Sequence, residues 1–160
     1  MKHLDDLDLT ILELLQRDGR LSKSRLAEAL GISEAACWRR VKRLEDEQYI
    51  LGYQAIVNRA KLDLDVVAFV QVRLANHKGS EPKDFERAVV DEPRIMGAHN
   101  ITGATDYLLH VVDRSLSSYG SFVSERLRQF PGVRSMNSFL MLRRIKYSRV
   151  LTKAMIRGEE

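Results

Sequence analysis

Four basic side chains, Arg39, Arg40, Lys42 and Arg43, crowd a short segment that also carries Cys37, Val41 and Leu44. A guanidinium is a planar fork of donors that pairs two acceptors at once, which suits a guanine edge or a phosphate. At about 100° per residue, Cys37, Val41 and Leu44 fall on one narrow stripe that Gln48 extends. Ala35, Ala36, Arg39, Lys42 and Arg43 fall on roughly the other side. Small residues beside Ser33 and Glu34, where this helix starts, let its backbone approach a groove closely. Trp38 lies on the flank. On this pattern the binding face is Ser33, Glu34, Ala35, Ala36, Trp38, Arg39, Arg40, Lys42 and Arg43, with Ser22 from the helix before. Neither Arg39 nor Arg43 supports the apolar stripe, so replacing either is expected to leave folding intact. A second group with chemical potential is Thr102, Gly103, Ala104, Thr105, Asp106 and Tyr107. There a glycine can bare N–H groups to a carboxylate, Asp106 can meet an ammonium, and the threonines can add hydroxyl bonds. An ordinary hairpin turn, with Asp bonding its own backbone, uses the same residues.

The elements that position these groups follow from periodicity. Asp5 or Asp6 caps a first helix over residues 5–18, with Asp8 in its first turn and Leu7, Ile11, Leu14 and Leu15 on one side. Asp18-Gly19 ends it. Ser22 caps a second helix whose buried side is Leu26, Ala27 and Leu30, Gly31 permits a tight reversal, and Ser33 caps the third. Two short helices at such a turn make a helix-turn-helix, in which one helix braces another that enters the DNA major groove. Residues 50–57 read as a strand or a small wing, and Asn58 to Asp63 as a linker.

From Asp65 the order is strand (Val66 to Leu74), helix (Lys83 to Glu92), strand (Ile95 to Ile101), strand (Tyr107 to Val112), helix (Ser115 to Gln129) and strand (Val133 to Ile145). That is the βαββαβ order of a ferredoxin-like sandwich, with helices on one face of an antiparallel sheet. The fold class is α+β: a three-helix, winged-helix-like domain over 1–50, a connector over 51–64, the sandwich over 65–146, and a tail over 147–160 that is a short helix or mobile. The sheet's second face is also apolar, which predicts burial against another subunit. A two-fold dimer then presents two recognition helices to a palindromic site.

Length and composition agree with two small domains: 160 residues, 44% of them hydrophobic, with a net charge of +4. Residues 1–60 hold ten basic and ten acidic side chains, yet seven basic residues face only Glu28 and Glu34 between Arg20 and Arg43. A local basic face of this kind suits one-sided docking on a duplex. No apolar run approaches the roughly 20 residues that span a bilayer, and the start lacks the build of a signal peptide. The lone Cys37 lies on the apolar stripe and reads as a buried, inert thiol. A cytoplasmic location is expected.

The spans L-D-D-L-D-L-T-I-L-E-L-L-Q-R-D-G-R-L-S and L-A-E-A-L-G-I-S-E-A-A-C-W-R-R-V-K-R-L-E-D resemble the N-terminal domain of the Lrp/AsnC, or feast/famine, transcription regulators. I-T-G-A-T-D-Y-L-L-H-V-V and P-G-V-R-S-M-N-S-F-L-M-L-R-R-I-K extend the resemblance over nearly the whole chain. It implies that the connector pairs with its twin in a dimer, and that an amino acid binds at a subunit contact through the Gly103 hairpin. Met136 and Ser138 are then candidates for the pocket wall. It implies assembly as a dimer, tetramer or octamer. Ala104 stands where the family often has an acid, and Ser138 where threonine is common.

His3, His77, His99 and His110 are scattered, and no phosphate loop, nucleophile elbow or metal-ligand spacing appears. No catalysis, resident cofactor or membrane association is expected. Three readings remain: a sequence-specific DNA-binding regulator of amino-acid or related metabolism tuned by a small molecule, a ligand-independent architectural DNA binder, and a metabolite sensor acting on a partner protein. The basic face argues against the last.

Overall fold

Each helix of the N-terminal half begins where its capping residue places it. In the computed structural model, which describes residues 4–76 and 79–158, the first three helices are α1 (Asp6–Arg17), α2 (Lys23–Leu30) and α3 (Glu34–Asp46). His3 and His77 lie outside the described residues. Asp5 and Asp8 cap α1 reciprocally: Asp8 N–H donates to Asp5 at 2.9 Å, and Asp5 N–H to Asp8 at 3.1 Å. Ser22 and Ser33 accept from Arg25 and Ala36 N–H groups at 3.2 and 3.3 Å. Between α2 and α3, Gly31 takes a left-handed turn at φ 66°. Ile11, Leu26, Ala27, Cys37, Val41 and Leu44 form the buried core of the three helices. The Cys37 thiol is pushed up by burial and then by Glu34, so it stays protonated.

The chain divides into two units, Met1–Ile56 with Lys146–Glu160, and Val57–Ile145. In the first, the closing segment returns to α1. Gln16 brackets Leu151, accepting from its N–H at 2.8 Å and donating to its carbonyl at 3.1 Å. A short α6 (Lys153–Arg157) follows, and Arg157 pairs with Asp6. Residues 51–57 form neither strand nor wing, and Leu51 and Ile56 are 89% and 86% exposed. Apolar, β-branched residues favour extended backbone, but a strand needs a neighbour to accept its hydrogen bonds.

The second unit is one antiparallel sheet of β1 (Val66–Leu74), β2 (Ile95–Asn100), β3 (Tyr107–Asp113) and β4 (Val133–Leu140), ordered β2-β3-β1-β4. Helices α4 (Glu81–Val90) and α5 (Leu116–Glu125) supply Phe85, Val89, Tyr119 and Phe122 to a core with Ala68, Val70, Val72, Leu74, Leu109 and Val111. Helix α4 starts at Glu81 because Pro82 is well placed in a first turn, where its missing N–H costs nothing. A 3-10 turn at Leu127–Gln129 takes over from α5, four residues before the last strand. Strand β4 ends at Leu140, short of Ile145: it is an edge strand whose one partner, β1, makes its last contact through Val67, whose carbonyl accepts from Met141 N–H at 2.9 Å. Before β1, Arg59–Leu62 forms a 3-10 turn where a plain linker was expected.

Alternation along β1 puts Phe69 on the other face, opposite Phe139 and stacked on His110 with ring centroids 5.3 Å apart. Phe69 and Phe139 are 37% and 52% exposed. Burial, then Arg144, Arg59 and His99, hold the His110 imidazole below its ordinary 6.5. The unfolded chain therefore takes up this proton first, and the contribution of neutral His110 to stability is lost as pH falls below 6.5. Urea unfolding is expected to show a falling midpoint across that range, with a shallower dependence in His110→Leu; an equal slope in both proteins would rule out His110 as the group responsible.

Candidate nucleic-acid interface and effector loop

Helix α3 shows three sides. Cys37, Val41 and Leu44 are buried, whereas Ala35, Trp38, Arg39 and Lys42 are exposed. Arg39 makes no ion pair or hydrogen bond among the described residues. Lys42 leans along the helix to Asp46 at 2.9 Å, an exposed pairing that costs little to exchange. Trp38 flanks the domain under Lys23, whose ammonium sits 3.6 Å from the ring centroid. Ser33 and Ser22 spend their hydroxyls on capping, and Glu34 occupies the first turn, where the helix dipole favours an acid.

Arg40 and Arg43 occupy the third side, toward α1. Arg40 Nη1 bonds Asp5 Oδ2 at 2.7 Å and Asp8 Oδ1 at 2.8 Å, and Arg43 Nη2 bonds Asp8 Oδ2. The Asp8 side chain is 1% exposed. The Asp8 backbone N–H, then Arg40, hold the Asp5 carboxyl below its ordinary 3.8, and the two carboxylates in turn strengthen the protonation of Arg40. Arg43 thus contacts a buried carboxylate on α1, a partner that the apolar stripe alone does not reveal. Between the two helices Asp5, Arg39, Arg40 and Arg43 bound a hollow of about 430 Å³. Arg43 Nε is buried without an acceptor among the described residues. Sequence reasoning gave Asp5 and Asp8 no part in this surface. Their i, i+3 spacing signalled a cap, but nothing local tied them to arginines 32 and 35 residues on.

The loop between β2 and β3 opens outward. Thr102, Gly103 and Ala104 are exposed, and Gly103 has φ 121°, a backbone that side chains disfavour. Asp106 faces inward: its carboxylate accepts from Leu74 N–H at 2.8 Å, and its own N–H donates to Val72 at 2.9 Å. The aspartate thus ties the end of β1 to the base of this loop. The Tyr107 ring packs on Phe85 at 4.8 Å, its hydroxyl donates to Glu86 at 2.8 Å, and burial followed by Glu86 pushes it up to about 12. Met136 packs on the helix-covered core, and Ser138 accepts from the Tyr119 hydroxyl at 2.6 Å. Val72 pairs with both Tyr107 and Met136, so β1 lies between them. Within one chain, Thr102 to Thr105 are thus brought together, whereas Met136 and Ser138 belong to a different part of the sheet.

Arg43→Ala should lower stability by about 1–2 kcal/mol, since a charge-assisted bond to a buried carboxylate is lost while Arg40 remains. Arg39→Ala should stay within about 0.5 kcal/mol of the parent. Equilibrium unfolding of the two variants checks this, and equal stabilities would refute the structural role of Arg43.

Two family models match the chain: a winged helix-turn-helix DNA-binding domain over residues 4–50 and an Lrp/AsnC ligand-binding domain over residues 67–151. The Bkd operon transcriptional regulator of Pseudomonas aeruginosa is 39% identical over 145 residues, covering 91% of this chain and 95% of its own. The proline dehydrogenase transcriptional activator of Rhizobium radiobacter is 37% identical over 143 residues, covering 89% and 92%. Among solved structures, a transcriptional regulator of Neisseria meningitidis in complex with L-Met superposes with a TM-score of 0.90 at 32% identity, covering 93% of this chain and 96% of that one.

Proposed function

The chain belongs to the Lrp/AsnC family of transcriptional regulators, and from that premise we propose that it docks α3 in the major groove of promoter DNA and answers to an amino acid. Exposed Arg39, without an intramolecular partner among the described residues, carries this reading, with small Ala35 one turn before it. Arg39 is the base-reading candidate, while Ser22, Ser33, Glu34, Ala36, Trp38 and Lys42 flank the backbone. The methionine complex of the Neisseria relative supports the ligand class. In this chain the seat is the outward loop from Thr102 to Thr105, whose bare N–H groups suit a carboxylate. Asp106 and Tyr107 shape that seat from below.

The half-exposed Phe69 and Phe139 favour a second copy of the chain across the open sheet face. A two-fold pair, or a tetramer or octamer built from such pairs, would bring two α3 helices to a palindromic site and set Met136 and Ser138 near another chain's loop. A location in the cytoplasm follows from work on promoters. Ala104, lacking the acid common at its position, favours a second reading, an architectural binder without an effector.

Mobility shift on the DNA beside its own gene, with and without each of the twenty amino acids, tests both. The expected result is a specific shift that one amino acid alters and that Arg39→Ala weakens without loss of fold. A specific shift indifferent to every amino acid would favour the architectural reading, and Arg39→Ala binding as tightly as the parent would sink the placement of α3.

A further inference from the structure

Of the two carboxylates that meet the recognition helix, one is sealed and the other is open. Asp8 is buried and takes bonds from Asp5 N–H, Arg40 and Arg43, so it is spent on holding α3 against α1. The Asp5 side chain is 52% exposed, lines the hollow, and accepts from Arg40 Nη1, the same nitrogen that bonds Asp8. The hollow itself is bounded by three guanidinium side chains and one accessible carboxylate. Such a surplus of donors suits a tetrahedral dianion or a phosphodiester better than a single carboxylate.

Building on the DNA-binding reading above, we propose that this hollow seats one phosphate of the DNA backbone and that Asp5 is its placeholder, neutralising Arg40 in the free protein and yielding it to the phosphate on docking. Arg40 then acts as an exchangeable cation: its bond to Asp8 fixes its position, and its bond to Asp5 is the one given up. A carboxylate that must be displaced lowers affinity for any duplex equally, because a phosphate contact carries no sequence information. It therefore raises the weight of base contacts such as that assigned to Arg39, and limits trapping on non-specific DNA.

The test is the salt dependence of binding to a specific and a random duplex, in four proteins: the parent, Asp5→Asn, Arg40→Ala and the double variant. Asparagine caps a helix as well as aspartate does, so Asp5→Asn removes charge while keeping the start of α1. Its expected effect is affinity up to about fivefold tighter at low salt on both duplexes, with the slope of log K against log salt steeper by about 0.9. In the Arg40→Ala background the same substitution should change neither. Glu28→Gln, which removes an exposed charge from the same domain outside the hollow, should leave the slope unaltered. The proposal is overturned if the parent binds DNA and Asp5→Asn does not tighten it, if the gain survives in the Arg40→Ala background, or if Glu28→Gln reproduces it. A parent protein that binds no DNA would overturn the DNA-binding reading and this proposal together.

Discussion

A carboxylate removed from water must have its charge and its lone pairs answered, or it costs several kcal/mol. Asp8 meets that demand with the Asp5 N–H, Arg40 and Arg43, and the architecture of the DNA-binding unit follows from how it does so. Its backbone partner fixes the first turn of α1, and its two guanidinium partners come from one side of α3. The rotation of α3 about its own axis is thereby set by two restraints: the apolar stripe of Cys37, Val41 and Leu44 on one side and this ionic anchor on another. What remains outward is the strip holding Ala35, Arg39 and Lys42. A helix free to roll by one residue would present a different strip, so recognition depends on the anchor as much as on the residues that touch DNA.

The second unit makes a comparable division of labour with hydrogen bonds. Asp106 closes the end of β1 by accepting from Leu74, and the loop before it is left to project with Gly103 at its tip. Tyr107, next in the chain, turns into the core and donates to Glu86. Strand β3 begins only at Tyr107, so the loop before it projects while Asp106 ties its base to β1, and within the strands side chains alternate between the two faces. The loop's accessibility and the sheet's order are parts of one arrangement. The same alternation leaves Phe69, His110 and Phe139 together on the uncovered face.

Legibility in the sequence varied with the range of the interaction. Ser22, Gly31 and Ser33 announced the helix-turn-helix because a cap or a left-handed glycine acts within three or four residues. The βαββαβ order was equally plain, since period-two and period-3.6 patterns are written in adjacent side chains. The readings that shifted concern reach. Residues 51–57 have strand composition but no strand partner, and β4 stops where β1 stops pairing with it. In both cases the deciding atoms belong to distant segments. The division within the basic run is hidden for the same reason: α1 pairs with Arg40 and Arg43 and leaves Arg39 and Lys42 exposed.

By itself, then, the sequence determined the caps, the apolar stripes, the order of elements and the presence of a basic recognition helix, because each rests on contacts within a turn or a strand. Tertiary structure alone decided which arginines of α3 are anchored and that Arg39 has no partner among the described residues, that Asp106 braces a neighbouring strand, and that the closing segment folds back on Gln16. These are pairings between side chains and backbones 32 to 135 residues apart. Charge and hydrogen-bonding capacity are visible in a residue's type, but the partner that satisfies them is chosen only when packing brings the two within about 3 Å.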